Sequence, residues 1–189
     1  MSKLNYKTKS DGQLIQKSKY YNVKSFYKDS ELMDMFLRLK ANVCDLNPAL
    51  VTKCITGTEQ DFILLMNRAK DFIESMFPKT GLEEKNILLE MFRECVFGYY
   101  VLTPLIVAKD VSDIKVLDFD HIVVKANGER YVTDIRFSSE EDYKSWYERI
   151  HRIQKLGRTE EFALGHSTDR KGVDTFYLRI DVQHACITS

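Results

Sequence analysis

From Asp29 to Tyr99 the apolar positions recur with a period near 3.6, and after Pro104 the period drops to two. The first stretch predicts helices. Leu32, Met33, Phe36 and Leu37 share a stripe that runs on through Leu39 to Val43, and Asn47-Pro48 opens a shorter helix with proline at its first position. Thr58-x-x-Asp61 reads as a capping box ahead of the stripe Phe62, Leu65, Met66, Ala69, Phe72, Ile73, Met76, which Phe77-Pro78 ends. Thr80-x-x-Glu83 is expected to cap the next helix, with Ile87, Leu88, Met91, Phe92, Cys95 and Tyr99 on its apolar side. These stripes predict a small helical bundle.

Beyond Pro104, Asp113–Leu117 and His121–Ala126 alternate as strands do, and Asn127-Gly128 before Arg130–Asp134 is a strong hairpin signal because both turn positions favour φ > 0. Ser138-x-x-Glu141 is expected to cap a helix that carries Tyr143, Trp146, Ile150 and Ile153 on one face and closes at Gly157. Phe162-Ala163-Leu164 and Thr175–Val182 read as further strands. The expected fold class is α+β: a basic arm of residues 1–28 treated as flexible, a helical bundle of 29–108, and in 109–189 an antiparallel sheet covered on one face by a helix.

The 189 residues balance 28 Lys+Arg against 28 Asp+Glu, yet residues 1–28 hold seven Lys and one Asp, so the rest is net acidic and gives no nucleic-acid footprint. The first residues contain no apolar leader segment. The uncharged run Cys95–Ala108 is too short to span a bilayer and is interrupted by Gly98 and Pro104, so it reads as a helix end entering the core. Cys44, Cys54, Cys95 and Cys186 lack any CxxC spacing and are expected to be reduced structural thiols of a cytosolic protein.

No GxxxxGK[ST], HExxH, GxSxG, DxDxDG or GxGxxG occurs, so the chain cannot cradle nucleotide phosphates in the P-loop manner and is not expected to be catalytic alone. Asp118 and Asp120 stand two apart in an expected strand connection, a spacing that could hold a hard cation but reads as ordinary turn chemistry. Arg130, Arg136, Arg170 and Arg179 fall in or beside the expected strands, where arginines either meet solvent or face a phosphate. In Phe176–Val182, Arg179 alternates with the apolar set Phe176, Leu178, Ile180, Val182 and so points outward.

Taken in order, Asp110-Val111-Ser112-Asp113-Ile114, the Asn127-Gly128 hairpin and Asp134-Ile135-Arg136-Phe137 leading into a capped helix that ends Arg149-Ile150 resemble the N-terminal domain of the type II/type IV secretion and pilus-assembly ATPases, nearest the Cpa/Tad branch. A helix running into Gly98 and Pro104-Leu105-Ile106 fits the same pattern, although the family's Gly-Leu-Gly-Pro-Leu is here Gly98-Tyr99-Tyr100-Val101-Leu102-Thr103-Pro104-Leu105. Gly172 and Leu178-Arg179-Ile180 look like a lengthened form of its glycine turn and arginine-bearing strand, and the resemblance covers residues 85 to 184.

The resemblance implies a PAS-like domain of a hexameric cytoplasmic motor, peripheral to the inner face of the cell membrane, that couples ATP hydrolysis to secretion or pilus assembly. Its partners would be its own C-terminal RecA-like domain, neighbouring subunits and inner-membrane platform proteins, with no direct nucleic-acid contact. The resemblance implies ATP and Mg for the parent protein and no cofactor in this chain, which is expected to be an excised N-terminal domain or a short paralogue. Arg179 matches a family arginine that reaches nucleotide phosphates; Arg136 and Arg170 are candidates by proximity. Two rival expectations are a PAS-like small-molecule sensor, which needs an apolar pocket with convergent polar groups, and a stand-alone interaction module using the basic arm.

Overall fold

The computed structural model describes residues 19–56, 58–153, 164–171 and 176–183. Chain order begins with a two-residue strand β1 (Tyr20–Tyr21), a 3₁₀ turn at Phe26–Lys28, and helix α1 (Ser30–Lys40), which passes into a five-residue π turn at Ala41–Asp45. Asp29 starts α1 because its carboxylate accepts the amides of Glu31 and Leu32, each at 3.0 Å. Helices α2 (Pro48–Thr56), α3 (Glu59–Met76) and α4 (Leu82–Phe97) follow. Thr58 and Asp61 form the expected capping box of α3, the Asp61 carboxylate accepting the Thr58 amide at 3.0 Å. At α4 the cap is shifted by one residue from the Thr80-x-x-Glu83 expectation: Gly81 is the cap, and its amide donates to Glu84 Oε2 at 3.2 Å.

After Gly98 the chain makes a 3₁₀ turn (Tyr100–Leu102), which is buried, and a one-turn helix α5 (Thr103–Ile106), which buries Leu105. Gly98 sits in a tight approach, since a Cβ there would run into the Glu94 carboxylate and stand 3.1 Å from the Glu94 carbonyl oxygen. Strands β2 (Val111–Asp118), β3 (His121–Ala126) and β4 (Glu129–Thr133) make an antiparallel meander, with Asn127 at φ 50° and Gly128 at φ 85° closing the β3–β4 hairpin as the sequence predicts. Helix α6 (Glu140–Ile153) is capped one residue later than expected, Ser139 Oγ accepting the Asp142 amide at 3.2 Å. Strands β5 (Leu164–Lys171) and β6 (Phe176–Gln183) pair antiparallel in a separate two-stranded sheet. The positions of Gly157, Phe162-Ala163, Gly172 and Cys186 lie outside the described residues.

The arrangement is α+β, with six α-helices and one four-stranded sheet among the described residues. That sheet is mixed rather than antiparallel. Its order is β1-β4-β3-β2, and β1 runs parallel to β4, pairing Tyr20 with Val132 and Tyr21 with Thr133. The added strand comes from the segment read as a flexible arm, whose residues 19–28 are part of the fold. Tyr27 is the reason: its ring meets Tyr100 edge-on at 5.0 Å and its hydroxyl donates to the Met91 carbonyl at 3.0 Å. One buried cluster includes Phe36 of α1, Leu65 of α3, Phe92 of α4, Ile122 and Val124 of β3, and Trp146 of α6. Helices and sheet therefore share a core.

Candidate functional site

The crossing from β4 to α6, residues 134–138, alternates Ile135 and Phe137 into the core with Asp134 and Arg136 toward solvent. Phe137 anchors it: its amide donates to the Phe119 carbonyl at 2.8 Å, and its ring lies 5.2 Å from Trp146. This pinning leaves Arg136 on the wall of an open cleft of about 940 Å³, between the start of α1 (Lys28, Ser30, Met33, Asp34) and the β2–β3 turn (Phe119, Asp120). Lys28 and Asp134 form an ion pair at its edge. The cleft presents both signs of charge, so by itself it does not select an anion. Asp118 caps the neighbouring turn, its carboxylate accepting the Phe119 amide at 2.7 Å, which is ordinary turn chemistry. Among the described residues there is no group of three His, Cys, Asp or Glu able to hold a metal ion.

Beneath the cleft lies a buried polar cluster that sequence reading missed. Asp142, 5% exposed, accepts the Tyr100 hydroxyl at 3.0 Å and both the amide and hydroxyl of Ser138, at 3.1 and 2.9 Å, on one oxygen. Its other oxygen stands 3.2 Å from Lys40 Nζ. Burial, the largest single influence, pulls the Lys40 ammonium down, but the attraction of Asp142 together with that of Cys95 and Asp45 makes the net shift upward. Arg149 Nη1 lies 3.7 Å from Cys95 Sγ. Burial raises the Cys95 thiol despite Arg149 and Lys40, and raises Cys44 and Tyr100 as well, so these groups stay neutral and unreactive. The signal for Asp142 was present only as an acidic residue in the first turn of a helix, which surface capping explains equally well.

Of the three candidate arginines, Arg136 lines the cleft, whereas Arg170 and Arg179 belong to the β5–β6 hairpin. The register places Arg170 opposite Tyr177 and Arg179 opposite Thr168, so positions 170 and 179 fall on one face of the hairpin. Arg136 and the hairpin arginines are thus on different elements. Among the described residues no helix is long and apolar enough to cross a membrane. A scan against protein-family models finds no match, and a search of curated proteins finds none either.

Proposed function

We propose that this chain is the PAS-like N-terminal domain of a hexameric secretion or pilus-assembly ATPase, a module that closes over nucleotide held by a separate RecA-like domain. The observation that carries the reading is the order of elements from Phe92 to Gln183. It comprises a helix ending at a glycine, a proline-bearing turn, a three-stranded meander closed by Asn-Gly, a capped helix, and a hairpin with positions 170 and 179 on one face. This order supports the resemblance seen in the residues. A phosphate held against that hairpin face would meet planar, permanently charged guanidinium groups suited to bidentate pairing. In this reading ATP and Mg belong to the RecA-like domain, and neighbouring subunits and membrane platform proteins are the partners.

The sensor alternative draws on the cleft beside Arg136, which is large enough for a small ligand. One experiment separates the two. The reading frame beyond residue 189 is determined and the whole encoded protein is assayed for ATP turnover. The motor reading requires a GxxxxGK[ST] segment and saturable hydrolysis that this chain alone lacks. A frame without that segment sinks it.

A further inference from the structure

Independently of the motor reading, we infer that the solvent face of the β4–β3–β2 sheet docks a compact acidic patch on a partner protein. The alternation of β3 buries Ile122, Val124 and Ala126 and turns Val123 and Lys125 the other way. Register then fixes the neighbours on that outer face. Lys125 stands opposite Arg130 on one side and Asp113 on the other, while Lys115, Val123, Val132 and Tyr20 form the adjacent row. Lys115, Lys125 and Arg130 are exposed, and Tyr20 is 65% exposed. No ion pair among the described residues involves any of the three cations.

A like-charged pair directly across two strands destabilises a sheet; Lys125 meets Arg130 in this way on one side, against a single carboxylate, Asp113, on the other. With strands about 4.8 Å apart, the three cations and the Val123–Val132 stripe fit within a patch on the order of 10 to 15 Å across. Neither described cleft is lined by Lys115, Lys125 or Arg130, so the face suits a macromolecular surface rather than a small ligand. Its surroundings decide which kind. Residues 110–134 carry six carboxylates against three basic side chains; Glu129 and Asp134 pair with Lys19 and Lys28, Asp113 lies on the face itself, and Asp110, Asp118 and Asp120 form a rim beside the two ends of β2. An extended anionic plane such as a bilayer, or a nucleic-acid backbone, meets that rim and is repelled by it. A small cluster of two or three carboxylates beside aliphatic residues meets only the cationic centre.

The probe is a labelled twelve-residue peptide with glutamates beside leucines, compared with the same peptide carrying lysines for glutamates, and with vesicles containing about 30% phosphatidylglycerol. The full chain should bind the acidic peptide, more weakly as salt rises, with amide shifts concentrated at Val123, Lys125 and Val132. Lys125→Glu should weaken binding at least tenfold with little change in the thermal midpoint, because it gains an opposite charge across from Arg130 and a like charge across from Asp113. Lys115→Gln/Arg130→Gln serves as the second variant and should weaken binding without loss of folding. Unchanged affinity in both variants, equal binding of the lysine peptide, or no binding of the acidic peptide overturns the inference. Tighter vesicle binding that depends on the same residues overturns it too, and assigns the face to a membrane.

Discussion

Tyr100 donates a 3.0 Å hydrogen bond to Asp142 across 42 residues of sequence, joining the turn after α4 to the first turn of α6. Tyr100 is 1% exposed and holds φ at 55°, a conformation that costs an aromatic residue on the order of 1 to 2 kcal/mol. The ring contacts that hold it there are Tyr27, Phe36 and Phe137, at 5.0, 5.6 and 5.8 Å. Tyr100→Phe keeps those contacts and removes one donor from a charged acceptor, so it should lower stability by about 2 kcal/mol. Urea unfolding with an unchanged m-value checks this. An unchanged midpoint would mean that Ser138 and Lys40 alone satisfy Asp142.

Trp146, the only tryptophan, is 8% exposed and packs on Phe137 at 5.2 Å and Tyr143 at 6.3 Å. Trp146→Ala should cost about 3 kcal/mol or more. Equilibrium denaturation followed by circular dichroism measures it, since the variant has no indole to report.

Stability should fall at alkaline pH. Burial raises Cys44 and Cys95 above their ordinary value of 9.0, so in the folded protein they keep their protons where the unfolded chain loses them. The unfolded state then binds fewer protons, and stability declines by about 1.4 kcal/mol per pH unit for each such group above pH ~9, with little change between pH 6 and 8 from these thiols. Tyr27 and Tyr100, also raised by burial, steepen the decline above pH ~10. Cys44→Ala/Cys95→Ala should flatten the profile between pH 9 and 10. A profile identical to wild type would remove the thiols as its cause.

The ordering of residues 19–28 gives a proteolytic test. Tyr21 donates to Asp110 at 2.7 Å, Tyr27 to the Met91 carbonyl, and Lys28 pairs with Asp134. Brief trypsin treatment should leave a fragment that retains the bonds after Lys24 and Lys28, and Tyr27→Ala should expose both. Cleavage after Lys28 in the wild-type chain at the earliest times would contradict the packing of this segment.

Helix stripes, the Asn127-Gly128 turn and the capping box at Thr58 were legible because each is a local pattern whose physics is complete within a few residues. The two caps at α4 and α6 were misplaced by one residue, since Thr80/Gly81 and Ser138/Ser139 each offer two adjacent starts and tertiary packing chooses between them. Strand β1 was invisible: two residues carry no period, and Tyr20–Tyr21 pairs with β4 only because Tyr27 seats the segment on the core. The Asp142 cluster was equally hidden, because its members Lys40, Tyr100 and Asp142 are far apart in sequence and each has an ordinary surface explanation. Arg136 was legible as a candidate but its cleft was not, the opposite wall coming from α1.

The most direct measurement is ATP turnover at saturating ATP in the whole encoded protein, wild type against Arg179→Ala. Loss of one charge-stabilising donor at a reacting phosphate predicts a fall of roughly tenfold to a thousandfold. Because Arg179 falls on the face of β6 opposite Phe176, Leu178, Ile180 and Val182 by strand alternation, the change should leave the folding of the chain intact. Equal turnover in the two proteins, or no turnover in either, would contradict the assignment of this domain to a secretion or pilus-assembly motor with Arg179 at the nucleotide.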